Sequence, residues 1–447
     1  MSERDGGEIR LMLVAGEPSG DAHAASLARA LRERAPEASF EFFGATGAEM
    51  RAAGVETVVR ADDLSILGLL EIGRALPRFL SAYRELKRAA TERRPDAVVL
   101  VDWPDFNLRL ARALRRRGIR VVYYISPQLW AWRAWRLRQV RRDVDLLLAI
   151  LPFEPAWYAA RGVTNVEFVG HPLAGAAGAR YGREEFCRRH GLDAARPVVA
   201  LLPGSRRKEI QRILPGMLGA ARALARSRPD AQFVVALAPN RTAREVCEAL
   251  GATRDDPARA RDDGAALLHD GPASPHEGAS KANDVSSSPD VSSSSSGGAS
   301  SSTDFSSLFA APLVVVRDET REALAASDAA AVCSGTATLE AALAETPMAV
   351  VYRESFVNWH LLGSLIRVEH FGLVNLVAGR RLAPELMQND FTPDALAREL
   401  LQLLEPEHNA RVRAQLRDAV SRLGAGGASS RAADAILGAL RRWRQDA

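Results

Sequence analysis

Two carboxylates three residues apart, in Asp102-Trp103-Pro104-Asp105-Phe106-Asn107, follow an apolar run and precede a segment of helical period. At the mouth of a sheet, such a pair offers what a hydroxyl needs if it is to lose a proton and become a nucleophile. Pro104 restrains the loop between them. The plainer alternative is that one Asp caps the helix beginning near Asn107 and the other stays solvated.

Other loops carry residues suited to binding. Gly16-Glu17-Pro18-Ser19-Gly20-Asp21 joins the first apolar run to a helix, with small residues that let a ligand approach the backbone and helix-start amides suited to an anion. A tight turn capped by Ser19 or Asp21 is the structural alternative. It is neither a GxGxxG fingerprint nor a Walker A loop, which argues against dinucleotide or ATP chemistry. Ser126-Pro127-Gln128-Leu129-Trp130-Ala131-Trp132-Arg133 concentrates tryptophans, and Trp135, Arg136, Arg138, Arg141 and Arg142 follow. Aromatics mixed with arginines suit a nucleic acid, an anionic membrane or a glycolipid, against the commoner outcome of a solvated helix face.

In the second half, Leu201-Leu202-Pro203-Gly204-Ser205-Arg206 pairs free backbone donors with a guanidinium able to grip phosphate. Cys333-Ser334-Gly335-Thr336-Ala337-Thr338-Leu339-Glu340 presents amides and hydroxyls at another turn, and Glu340 could accept from a ribose. Together they suggest a nucleoside diphosphate site, with ordinary helix capping as the alternative. His171, in Gly170-His171-Pro172 at the junction of the halves, is the histidine best placed to face a cleft.

These loops need a scaffold, and the apolar runs supply it. Leu11–Ala15, Phe40–Phe43, Ala97–Val101, Val121–Ile125, Leu146–Leu151 and Val166–Val169 alternate with helical segments, as in a parallel sheet built from βαβ units. The pattern restarts after Pro172 with Pro197–Leu202, Gln232–Leu237, Leu313–Val316, Ala329–Val332 and Met348–Tyr352. The reading is α/β, with two doubly wound domains that bind ligands beyond the carboxyl ends of their strands. Residues 255–310, rich in Ser, Gly, Pro and Asp, read as a disordered insertion in a surface loop. Apolar residues from Ala433 to Trp443 at helical spacing predict an amphipathic C-terminal helix that crosses back to the first domain.

The 447 residues carry 59 basic and 55 acidic side chains, too balanced for a protein whose main partner is nucleic acid. The three cysteines are far apart, which predicts a reducing compartment without structural disulfides. No His/Cys/Asp cluster has metal-ligand spacing, so neither metal nor cofactor is expected. No signal peptide opens the chain and no apolar run reaches the 18 residues or so that suggest a membrane span. The stretch Leu64–Leu80 carries Glu71, Arg74 and Arg78, so it suits an interface rather than a crossing, or else an ordinary core helix.

LVAGEPSGD (Leu13 to Asp21), VDWPDFN (Val101 to Asn107), YISPQLWAWR (Tyr124 to Arg133), LPFE (Leu151 to Glu154), FVGHPL (Phe168 to Leu173), LLPGSR (Leu201 to Arg206), SGTATLE (Ser334 to Glu340) and NLVAGRRLAPELMQ (Asn375 to Gln388) closely resemble, in order, the motifs of lipid-A-disaccharide synthases. The chain departs from them at Pro18, Gln128, Leu129 and Val374, which bear on loop shape more than on chemistry. The resemblance implies a glycosyltransferase of GT-B type, two Rossmann-like domains with an interdomain cleft. It implies inverting transfer of 2,3-diacylglucosamine from its UDP derivative to the 6-hydroxyl of 2,3-diacylglucosamine 1-phosphate (lipid X). It also implies a cytoplasmic protein held peripherally at the inner membrane.

Residues 1–172 are then the acceptor and membrane side, 173–425 the UDP-sugar domain with its insertion, and 426–447 the returning helix. Asp102, with Asp105, is the expected base. Arg206 and Ser334, Gly335, Thr336, Ala337 and Thr338 are expected to hold the diphosphate, while Glu340, Asn375 and Gln388 place nucleotide and sugar. Glu17, Ser19, Asp21, Asn107 and Trp132 complete the expected substrate contacts. A homodimer is left open, as are two other readings: another enzyme of this architecture, such as a UDP-sugar epimerase, or a non-catalytic nucleotide-sugar binder.

Overall fold

A computed structural model describes residues 8–63, 72–176, 178–251, 303–305, 309, 311–355 and 369–446. The chain divides into two compact units: Met1–Gly178 with Ser355–Leu382 and Ala414–Ala447, and Ala179–Glu354 with Ala383–Arg413. Residues 355–382 and 414–425, expected in the second domain, therefore group with the first unit. Hydrogen bonds tie them there. The His171 N–H donates to the Leu423 carbonyl at 2.8 Å, and Arg422 donates to the Ala378 carbonyl at 3.1 Å.

In the first unit β1 (Glu8–Ala15), β2 (Ser39–Thr46), β3 (Glu56–Arg60), β4 (Ala97–Val101), β5 (Val121–Tyr124), β6 (Leu146–Ala149) and β7 (Val166–Phe168) pair in parallel, in the order β3-β2-β1-β4-β5-β6-β7. The unbroken apolar runs follow from burial on both faces. Leu11, Leu13 and Ala15 enter one core with Leu27, Leu31 and Ile436, while Met12 and Val14 enter the opposite one with Leu86 and Leu110. The final helix, Ala428–Gln445, buries Ala432, Ala433, Ile436 and Leu440 and packs against the helix Pro18–Arg34. Burying Ile436 and Leu440 contributes about 3–6 kcal/mol. Arg34 also donates to Asp434 at 2.6 Å, at the exposed rim of this pairing.

The second unit has β8 (Val198–Leu202), β9 (Gln232–Leu237), β10 (Thr303–Asp304), β11 (Leu313–Arg317), β12 (Ala329–Cys333), β13 (Met348–Tyr352) and β14 (Glu385–Met387), in the order β10-β11-β9-β8-β12-β13-β14. Its pairings are parallel except β10 with β11. The expectation that 255–310 lacks structure fails at its carboxyl end. Thr303–Asp304 extends the sheet, and Phe305 and Phe309 are buried, Phe309 edge-on to Phe233 at 5.8 Å. Two aromatic anchors among serines have enough apolar area to order a short strand. Most of that segment lies outside the described residues.

Each sheet reverses its winding direction once about its centre. In the first unit the reversal falls between β1 and β4, where Ala15 pairs with Val101. In the second it falls between β8 and β12, where Leu202 pairs with Val332. At these points the loops after adjacent strands diverge to opposite faces and leave a crevice. The loops that follow β1, β4, β8 and β12 leave the sheets there, whereas the tryptophan loop follows β5. Of the stretch Leu64–Leu80, residues 64–71 lie outside the described residues. The helix Ile72–Arg93 carries its end, with Phe79 beside Trp103 and Leu80 exposed. Among the described residues no helix is long and apolar enough to cross a membrane.

Candidate active site

At the first reversal, the loop after β4 runs through a left-handed backbone at two consecutive non-glycine residues, Asp102 (φ 48°) and Trp103 (φ 50°). Such conformations cost energy and persist only when neighbours hold them. Here Asn107 donates from Nδ2 to the carbonyls of Val101 at 3.2 Å and Asp102 at 2.7 Å, and the Tyr123 hydroxyl donates to the same Asp102 carbonyl at 2.6 Å. Asn107 is completely buried, so its side chain serves the loop. Trp103 stacks on Phe106 with ring centroids 4.1 Å apart and lies over Gly16. A Cβ at Gly16 would meet the Trp103 ring at 2.2 Å, so the glycine is what lets the two loops close on each other.

The two carboxylates of this loop have opposite environments. Asp102 has its pKa pushed up to about 6, first by burial and then by the charge of Glu17, with a main-chain hydrogen bond from Trp103 pulling the other way. Asp105 is more exposed, and although burial raises its pKa, the hydrogen bond and charge of Arg136, with Arg133, hold it below the ordinary carboxylate range. Arg133 donates to both its oxygens, at 2.8 and 3.1 Å, and Arg136 pairs with it as well. A carboxylate so clamped is a poor proton acceptor. Asp102 is poised to take a proton near neutral pH.

The loop after β1 divides its residues between surface and scaffold. Glu17 and Ser19 are exposed at the start of the helix Pro18–Arg34, whose amino end has no side-chain cap. Asp21 is buried, and its carboxylate accepts from the N–H groups of Gly47 (2.8 Å), Glu49 (2.8 Å) and Met50 (3.2 Å). It caps the helix Ala48–Ala52 rather than its own, which leaves those oxygens spent on structure. His171 is also a cap: Nδ1 accepts from the Leu173 N–H at 3.2 Å, and burial, then His23, pushes its pKa down to about 4.

The tryptophan loop after β5 is anchored from beneath by Glu154. This fully buried carboxylate accepts from Ser126 Oγ at 2.6 Å and Trp130 Nε1 at 3.1 Å through one oxygen, and from the Ile150 and Leu151 N–H groups at 3.2 and 3.0 Å through the other. With Trp130 pinned, Trp132 and Trp135 stay exposed, at 39% and 60%. The Arg133 guanidinium lies 3.9 Å from the centre of the Trp132 ring. The LPFE motif pointed to this stretch without revealing that its Glu holds the tryptophan loop.

At the second reversal, Leu202, Gly204, Ser205, Arg206, Glu209, Ala236, Ala238, Thr320, Cys333, Ser334, Gly335, Thr336, Ala337 and Glu340 line a cavity of about 320 Å3. The Arg206 side chain is 82% exposed and lies 3.3 Å from the Glu209 carboxylate. Glu340 has its pKa raised by burial against the opposing charge of Arg321. Thr338 is fully buried and donates from Oγ1 to the Gly335 carbonyl at 2.8 Å, which fixes the turn, whereas Thr336 is exposed. Glu209, one turn into the helix Arg207–Ser227, accepts from the Ser205 and Arg206 N–H groups at 3.2 and 3.1 Å. The sequence expectation did not include it, although an acid three residues after a helix start is a capping signal.

Asn375 and Gln388 are not among the residues that line this cavity. Asn375 is fully buried and its Oδ1 accepts from the Leu382 N–H at 2.8 Å, closing the turn after the helix Leu373–Ala378. Gln388, at φ 54°, pairs its amide with the Glu354 main chain, donating to the carbonyl at 3.2 Å and accepting from the N–H at 3.0 Å. Among the described residues no group of three or more His, Cys, Asp or Glu could hold a metal ion.

Residues 11–256 and 300–437 match a family model described as lipid-A-disaccharide synthetase. A lipid-A-disaccharide synthase of Anaeromyxobacter dehalogenans is 40% identical over 434 residues, covering 97% of this chain and 98% of that protein. The enzyme of the same name from Trichlorobacter lovleyi is 37% identical over 429 residues, covering 96% and 97%. Among solved structures, a UDP-GlcNAc 2-epimerase of Neisseria meningitidis bound to UDP-GlcNAc aligns with TM-score 0.54 at 11% identity, covering 96% of this chain and all of that one. The calicheamicin glycosyltransferase aligns with TM-score 0.51 at 16% identity, covering 99% of each. At these identities the likeness is one of fold, and the fold is of GT-B type.

Proposed function

The chain belongs to the lipid-A-disaccharide synthase family, glycosyltransferases of lipid A biosynthesis, and from that premise we propose how its residues divide the reaction. The acceptor is 2,3-diacylglucosamine 1-phosphate, and its 6-hydroxyl attacks the anomeric carbon of UDP-2,3-diacylglucosamine. Asp102 takes the hydroxyl proton as the new C–O bond forms, and the bond from the anomeric carbon to the diphosphate breaks on the opposite face. The product is a β-1,6 disaccharide 1-phosphate, with UDP leaving and configuration inverted.

The observation that carries the reading is the contrast between the two carboxylates: Asp102 is poised near neutrality by burial, while Asp105 is locked by two arginines. The assignment of charge on the other reactant follows the cavity of the second unit. Arg206 offsets the charge growing on the departing diphosphate, the Ser334–Thr336 turn donates to it, and Glu340 accepts from the ribose. Asn107 and Thr338 act through the loops they hold, Asn375 and Gln388 likewise, and Asp21 through the helix it caps. Exposed Trp132 and Trp135 with neighbouring arginines form a membrane-surface contact near the acceptor loops.

Incubating the purified protein with both acylated substrates is expected to yield disaccharide and UDP. Asp102→Asn is expected to lose turnover while still binding UDP, and Asp105→Asn to keep turnover within about tenfold of wild type. Turnover of unacylated UDP-sugar alone, or full activity in Asp102→Asn, refutes the scheme.

A further inference from the structure

The donors at the mouth of the second unit's cavity already have an acceptor. Glu209 Oε2 takes the Ser205 and Arg206 N–H groups, and its Oε1 lies 3.3 Å from the Arg206 guanidinium. Gly204, at φ 107°, wraps the loop so closely that a Cβ there would meet Glu209 Oε2 at 2.6 Å. The carboxylate lines the cavity with Arg206 and Thr336, and the Cys333 sulfur lies on the same side, against Gly204. Burial first, and Glu209 next, push the Cys333 thiol up to about 12.

We infer that Glu209 is a built-in competitor of the nucleotide's diphosphate, weakening UDP binding so that product leaves. The inference rests on the proposed nucleotide site and deepens it. A diphosphate that engages Arg206 and the amides at the start of the helix Arg207–Ser227 must do so against an anion already on them. At contact distance in a partly desolvated pocket, two like charges repel strongly enough to change affinity by about an order of magnitude. The same repulsion acts on bound UDP once the sugar has gone. Tighter binding of a product slows a turnover limited by its release.

Titration calorimetry of the full-length protein separates this role from helix capping. Glu209→Gln keeps an oxygen for the cap and loses the charge. It is expected to bind UDP about tenfold more tightly, to bind uridine unchanged, and to lower KM for the UDP-sugar together with kcat. Glu209→Asp retains the charge and is expected to stay within about twofold of wild type for UDP. A structural role alone gives Gln and Asp variants that lose thermal stability with no gain in UDP affinity. UDP binding that needs Arg206 yet is not tightened in Glu209→Gln overturns the inference and leaves the site standing. Binding indifferent to Arg206→Ala, or absent in wild type, overturns the site and the inference with it.

Discussion

Replacing Asp102 by Asn should remove activity and stabilise the first unit, with a pH dependence that fixes the cause. The carboxyl pKa rises from 3.8 to about 6 in the folded chain, a shift of about two units at about 1.4 kcal/mol each. The folded pKa lies above the unfolded one, so the favourable linkage is complete below the unfolded value and lost as pH rises through 6. At pH 8 the ionised, buried carboxylate therefore costs at most about 3 kcal/mol, less whatever solvent screening its partial exposure allows. Asn has the same shape, carries no charge, and tolerates the left-handed backbone at this position.

Scanning calorimetry at pH 8 should show the variant melting several degrees above wild type, on the order of 2–4 °C per kcal/mol for a unit of this size. The gap should shrink through pH 6 and close near pH 4. In the same variant kcat should fall by about 10²–10⁴, and wild-type kcat/KM should rise with unit slope to a plateau above pH 6 or so. An unchanged or lower melting temperature at pH 8, or a gap independent of pH, would refute the assignment of a destabilised, functional carboxylate.

Two further perturbations probe the surroundings. Gly16→Ala drives a methyl into Trp103 and should cost about 1–3 kcal/mol of stability and at least tenfold in kcat. Combining it with Trp103→Leu should recover part of both losses, as coupled neighbours do; additive losses would contradict the contact. Replacing Trp132 and Trp135 with Ser should reduce cosedimentation with anionic phospholipid vesicles severalfold while leaving UDP affinity unchanged, and undiminished vesicle binding would remove the tryptophan loop from the membrane contact.

How far the sequence revealed this protein depended on how local each cause is. The central strands were legible because burial on both faces writes an unbroken apolar run. The strands Glu56–Arg60 and Glu385–Met387 were not, since each sets two apolar residues beside charged ones, too short a run to stand out. Site loops could be read from their position after strands and from family-like motifs. Their internal division of labour could not. What separates Asp102 from Asp105 is a pair of arginines 28 and 31 residues further along the chain. What occupies Asp21 is the set of main-chain amides at Gly47, Glu49 and Met50, 26 to 29 residues away, where the sequence suggested a cap on its own helix. Such partners are set by tertiary structure, and local propensity says nothing of them.

The closing of the first unit by its last helix has a consequence for the timing of biosynthesis. Arg34 and Asp434, partners across that helix pair, are 400 residues apart in sequence. At about 5–20 residues per second, translation separates them by roughly 20–80 s. Throughout that interval the helix Pro18–Arg34, with Leu27 and Leu31, lacks the helix that packs against it and shares its core through Ile436 and Leu440. The second unit, by contrast, is encoded wholly within the interval and can fold while the first waits. The apolar face that the last helix covers is thus sealed only after residues 428–445 have been made, long after the strands beneath it.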